Sequence, residues 1–211
     1  MKYLISFFVT LAVVMLGGGV ARADVTDFVI NHFDANYVLD NNVPGGSLVT
    51  QETIDLTFSD NNHGIFRAIP KSYHGNSTKL KINYVKRDGQ AEAYTTYTEN
   101  NNLVLKIGNA DSTVTGKHRY EIGYYQERVV NFVGEQAEFY WDVNGDQWSQ
   151  PFEKVTATLE VRPQILANSS SCYAGPRGSM ASSGVCVIER SSLQQFSTET
   201  LQPLRAQETL S

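Results

Sequence analysis

Residues 138–161, EFYWDVNGDQWSQPFEKVTATLEV, decide how this chain is read. Asn144-Gly145 separates two alternating runs, and both residues tolerate positive φ, so the pair predicts a two-residue type I′ hairpin turn. In that register Val143 faces Asp146, Asp142 faces Gln147 and Trp141 faces Trp148. Both tryptophans of the chain would then form one cross-strand pair, worth about 0.5–1.5 kcal/mol beyond area burial. After Pro151 the chain places Val155, Ala157, Leu159 and Val161 on one face and Thr156, Thr158 and Glu160 on the other. That is the pattern of a half-buried antiparallel strand.

The same period of two recurs outward from this stretch. Residues 47–58 read as a long strand with Leu48, Ile54, Leu56 and Phe58 on its apolar face and Glu52 in the same register. Residues 63–70, HGIFRAIP, put Ile65, Arg67 and Ile69 on one side before Pro70 stops the run. Leu103, Leu105 and Ile107 mark a further strand, and Tyr120, Ile122 and Tyr124 another. Residues 27–39 are strand-like but irregular, and 129–136 read as an irregular approach to the hairpin. Turn clusters occupy 41–46, 87–89 and 99–102. No convincing amphipathic helix appears. Many short strands with closely spaced turns predict an all-β, antiparallel Ig-like β-sandwich over residues 24–163. From Gln164 the composition shifts. Residues 164–211 form a Ser/Gly-rich, Cys-containing segment that completes the domain, mostly loop over 167–184, with weak strands at 185–189 and 193–196.

The first 23 residues read as a signal peptide. Lys2 supplies the positive end, residues 4–16 the apolar run, and Ala21-Arg22-Ala23 the cleavage site. The apolar run is short for a membrane span, and no cysteine follows it to carry a lipid anchor. Loss of Lys2 and Arg22 takes the formal charge from −5 to −7, so nucleic acid and anionic lipid are poor partners for the exported domain. The two cysteines, Cys172 and Cys186, are expected to pair once exported, closing a short loop worth about 3 kcal/mol in the chain-entropy model. Two free thiols are the alternative. A metal site is disfavoured, because two Cys without nearby His fall short of four ligands.

Five segments carry a family resemblance: SLVTQETIDLTF at 47–58, HGIFRAIP at 63–70, LVLKIGNADSTVTGKHRYEIGY at 103–124, EFYWDVNGDQWSQPF at 138–152, and Cys172 followed by AGPRGS and Cys186. Together they resemble the extracytoplasmic N-terminal domain of bacterial predicted membrane proteins of domain-of-unknown-function family 2207, the YciQ-like proteins. The resemblance implies a signal peptide, a β-sandwich outside the membrane, and then transmembrane helices. The chain stops at Ser211, where a further core strand would be expected. It is therefore expected to be truncated before a membrane helix, the downstream anchor being its one route to a membrane. The family has no established activity to carry over.

The residues themselves suggest structural rather than catalytic roles. Glu52 and Arg67 both point towards apolar layers, which predicts a structural ion pair, since a lone buried charge is costly. A β-bulge turning either one outward is the alternative. No second carboxylate or nucleophile stands at matching spacing, so no catalytic residue is assigned. Asp142, Asn144 and Asp146 open like a calcium loop, and Glu153 stands at its twelfth position. Gln147 replaces the required Gly, and the hairpin explains Asn144-Gly145 better, so no metal or cofactor is assigned. The four histidines lack metal-ligand spacing. Eleven Tyr and ten Phe suit half-buried strands, although exposed ones could stack on sugars. The resulting expectation is an exported, non-catalytic domain that binds, senses or scaffolds at the cell envelope through an envelope protein or glycan. A secreted carbohydrate-binding module is the alternative. The residues carrying the expectation are Glu52, Arg67, Trp141, Asn144, Gly145, Trp148 and the Cys172–Cys186 bridge.

Overall fold

Alternating apolar and polar residues build strands almost throughout. The computed structural model describes residues 27–134, 136–162, 168–180 and 184–211, and the predicted leader at 1–23 lies outside them. In chain order the strands are β1 (Phe28–Asp40), β2 (Ser47–Asn62), β3 (Ile65–Pro70), β4 (Ser72–Tyr73), β5 (Asn76–Ser77) and β6 (Lys81–Arg87). Then follow β7 (Gln90–Ala91), β8 (Tyr94–Glu99), β9 (Asn102–Ile107), β10 (Val114–Glu127), β11 (Asn131–Val133) and β12 (Gln136–Glu138). The last are β13 (Val155–Val161), β14 (Ala174–Pro176), β15 (Cys186–Arg190), β16 (Gln195–Thr200) and β17 (Glu208–Leu210). The chain is all-β, a sandwich in which an eight-stranded sheet, ordered β15-β16-β13-β1-β2-β10-β6-β7, faces a three-stranded sheet, ordered β3-β9-β8.

The core lies between these two sheets. Phe33, Ile54, Leu56, Tyr120 and Ile122 from the large sheet share one buried cluster with Ile65, Ile69, Leu105 and Ile107 from the small one. Each such side chain contributes about 1.5–3 kcal/mol by leaving water. The irregularity of residues 27–39 has a simple cause. A bulge between Ile30 and His32 shifts the register by one residue. Phe28 and Ile30 before it, and Phe33, Ala35, Tyr37 and Leu39 after it, therefore all face the core.

Two expectations about residues 138–161 are corrected. No hairpin forms at Asn144-Gly145. Gly145 has φ +73°, but Asn144 is not among the positive-φ residues, and a type I′ turn requires both. That requirement is met instead at Asp88-Gly89, between β6 and β7, and at Asn100-Asn101, between β8 and β9. The strand after Pro151 is half-buried as expected, but its inner neighbour is parallel. β13 runs parallel to β1, from Phe33 opposite Val155 to Leu39 opposite Val161, and antiparallel to β16. The C-terminal segment thus completes the large sheet with β15 and β16, while β14 and β17 pair as a small ribbon.

Candidate functional site

Glu52 projects from β2 and Arg67 from β3, each in register with apolar neighbours, so both reach the space between the sheets. There they meet in a two-pronged ion pair. Arg67 Nε donates to Glu52 Oε2 at 2.8 Å and Nη2 to Oε1 at 2.6 Å. Glu52 is 0% exposed and Arg67 3%. The Tyr124 hydroxyl donates to Glu52 Oε1 at 2.7 Å, and Arg67 Nη1 donates to the carbonyls of Ala68 and Asn144, both at 2.9 Å. The guanidinium also lies 5.4 Å from the Phe33 ring centre and 5.9 Å from that of Trp148.

Asn144 and Gly145 serve this cluster rather than a turn between strands. The Asn144 carbonyl accepts from Arg67 and, at 2.8 Å, from Trp148 Nε1. Its side chain spans to the C-terminal ribbon, donating to the Glu208 carbonyl and accepting from Leu210 N–H, each at 2.9 Å. A side chain at Gly145 would have its Cβ 3.0 Å from Arg67 Nη1, in a backbone conformation that L residues rarely adopt. The predicted Trp141–Trp148 pair does not form. Trp148 packs edge-on against Phe33 and Phe152 in the core, whereas Trp141 stacks on Phe139, with rings 5.7 Å apart and 9° between planes. Without a hairpin the two indoles have no common face. Cys172 and Cys186 are bonded, with Cα atoms 6.2 Å apart, and anchor the start of β15 to the loop before β14.

Electrostatics mark the cluster as closed. Burial lowers the tendency of Arg67 to stay charged, but the adjacent Glu52 carboxylate outweighs it and holds the guanidinium above its ordinary range. Burial, then the Glu52 charge, pushes the Tyr124 and Tyr37 hydroxyls well above the usual phenol value. Both oxygens of Glu52 are occupied and the side chain is fully buried, so the geometry suits a structural pair better than proton transfer. Tyr124 was legible as an inward residue from the alternation of Tyr120, Ile122 and Tyr124, but nothing in the sequence links it to Glu52. Asp142 and Asp146, the two aspartates that open the calcium-like stretch, repel one another. Burial and then Asp146 raise the Asp142 carboxyl, while Asp146 binds Arg177 at 3.1 Å and the Asn144 side chain is committed to backbone. No group of three metal-binding side chains occurs among the described residues.

The outer surface offers two adjoining hollows that share Gln147. One, of about 520 Å³, lies among Asp146, Pro176, Arg177, Arg205, Gln207 and Glu208. The other, of about 100 Å³, lies on the outer face of the small sheet. Phe66, Ala68 and Val104 line it together with Tyr97, Glu99 and Asn102.

The fold recurs in larger proteins. Native yeast LTA4 hydrolase matches with a TM-score of 0.54 at 14% identity, covering 88% of this chain and 29% of that one. The yeast enzyme in complex with bestatin matches with a TM-score of 0.54 at 15% identity, over 87% and 28%. An M1 zinc metallopeptidase from Deinococcus radiodurans matches with a TM-score of 0.49 at 14% identity, over 87% of this chain and 42% of that one. The chain spans less than half of each of these structures, and at 14–15% identity the likeness to the yeast enzyme is one of fold alone. No curated protein matches the sequence. The family described as "Predicted membrane protein (DUF2207) N-terminal domain" matches residues 29–207, and the chain belongs to that family.

Proposed function

We propose that the chain is a non-catalytic, extracytoplasmic domain of a membrane protein, which presents a rigid β-sandwich for binding or scaffolding at the cell envelope. The observation that carries this reading is the sealed Glu52–Arg67–Tyr124 cluster. The strongest concentration of buried charge is used to lock the two sheets together and leaves no group facing a substrate. The Cys172–Cys186 bond supports an oxidising compartment. A membrane-impermeant amine reagent applied to intact cells tests the location. Modification of the exposed Lys106 before lysis is expected, and modification only after lysis contradicts it. A photo-crosslinker at the exposed Gln147 tests the role, with a discrete adduct expected. An activity abolished by Glu52→Gln in a still-folded protein would overturn the non-catalytic reading.

A second reading, carbohydrate binding, rests on the hollow over the small sheet. Tyr97 is 45% exposed beside the amides of Asn102 and Gln147 and the carboxylate of Glu99. A ring face next to planar hydrogen-bonding groups suits a sugar. Binding on a glycan array that is lost in Tyr97→Ala would favour this reading over protein scaffolding.

A further inference from the structure

Sheet edges expose unpaired backbone groups, and proteins ordinarily guard them. Three of the four edges in this sandwich are guarded. β7 is two residues long, and the stretch of β6 that it leaves uncovered begins at the exposed Lys81 and is met at Val85 by the N–H of Glu92. β15 begins at the disulfide and ends in Glu189-Arg190. β3 ends in Pro70 and is flanked by the segment that brings Asn144 to Arg67. The fourth edge, β8, reads YTTYTE. It contains neither Lys nor Pro, and all six residues are exposed. Thr and Tyr are strong strand formers, so the segment stays extended although it buries little.

The register shows which groups are free. Tyr94 lies opposite Ile107 and Glu99 opposite Asn102, and Gly108 N–H donates to the Ala93 carbonyl at 2.8 Å. In an antiparallel ladder hydrogen-bonded pairs alternate. Residues 93, 95, 97 and 99 therefore turn their backbone groups towards β9, and Tyr94, Thr96 and Thr98 turn theirs outward. Among the described residues no backbone hydrogen bond satisfies those outward groups.

We propose that β8 pairs antiparallel with β8 of a second copy about a two-fold axis at Thr96, joining the two small sheets into one. This goes beyond the binding or scaffolding reading and does not depend on it. The axis at Thr96 brings all three outward residues into hydrogen-bonded pairs: Thr96 with the partner's Thr96, Tyr94 with the partner's Thr98, and Thr98 with the partner's Tyr94. An axis at Tyr97 would pair only Thr96 and Thr98. At the Thr96 register each tyrosine lies opposite a threonine, the aromatic with β-branched combination that stabilises neighbouring strands. Charge agrees with it. Glu99 falls opposite the partner's Ala93, so no like charges meet, and its outer face is also the face of the partner's Lys106.

Sedimentation equilibrium of the full chain, purified as the cell delivers it, tests the pairing. The wild type is expected to show a concentration-dependent dimer. Thr96→Pro removes an outward N–H and leaves the bonds to β9 in place, and Thr96→Lys sets two ammonium groups opposite one another. Both variants are expected to lose the dimer. Thr96 is exposed, so Thr96→Lys is expected to match the wild-type melting temperature at concentrations below the dimer's dissociation constant, which makes its result decisive if the proline variant misfolds. A wild type that is monomeric at every concentration would overturn the proposal, including one whose β8 pairs with a strand of another protein. So would a dimer that survives Thr96→Lys.

Discussion

β3 and β8 flank the same strand, β9, yet they meet opposite fates. β3 carries Arg67 into the interior, where every arm of the guanidinium finds an acceptor and the neighbouring loop closes over it. β8 places all six of its side chains in water. The contrast teaches that the small sheet, seated on the core through β3 and β9, carries its buried charge at one edge only. One edge locks it to the large sheet through a buried charge pair, and the other is held by its ladder with β9 and remains available.

Substitutions should separate the two edges sharply. The largest loss is expected for Arg67→Met, which strands the Glu52 carboxylate in the core. A destabilisation of about 3–5 kcal/mol in denaturant melts would match a broken buried pair. Next comes removal of the disulfide by a Cys172→Ser, Cys186→Ser double substitution, expected to lower stability by about 3 kcal/mol on the chain-entropy argument. Asn144→Ala should follow at about 1–3 kcal/mol, because it leaves the buried Leu210 N–H without its acceptor.

A pH titration sharpens the same comparison. The folded-state values of Tyr37 and Tyr124 are raised above the ordinary value of 10.0. Stability from these groups is therefore fully present below about pH 10, where neither state ionises them. It is lost as the pH climbs beyond that, because the unfolded chain releases the protons first. The expected slope is about 1.4 kcal/mol per pH unit for each tyrosine. Tyr124→Phe should remove one such contribution from the slope, and an unchanged alkaline profile in that variant would place the hydroxyl in water. At the far end of the scale, Tyr94→Ser on β8 should change the unfolding free energy of the dilute, monomeric chain by no more than about 0.5 kcal/mol.

Much of this arrangement was legible in the sequence, and the misses have physical reasons. The alternation in 47–58, 103–107 and 120–124 gave the strands of both sheets, and the shared register of Glu52 and Arg67 with apolar residues brought the two charges inside. Residues 27–39 looked irregular because a bulge inverts the alternation midway, which period-two reading cannot repair. Asn144-Gly145 misled because local turn propensity favours a hairpin. Tertiary contacts with Arg67, Trp148 and the C-terminal ribbon hold Asn144 otherwise. The parallel pairing of β1 with β13 links residues more than a hundred positions apart and leaves no local signal. Tyr124 could be placed inside by its periodicity, but its bond to Glu52 depends on strand neighbours that only the folded sheet supplies.

The central claim is that Glu52 and Arg67 act as one closed structural unit. A double-mutant cycle on Glu52→Gln and Arg67→Met, followed by denaturant unfolding, tests it most directly. The account predicts strong coupling, with the double variant losing well under the sum of the two single losses, by about 2 kcal/mol or more. Additive losses would mean that the two charges stabilise the fold independently and would contradict the closed pair.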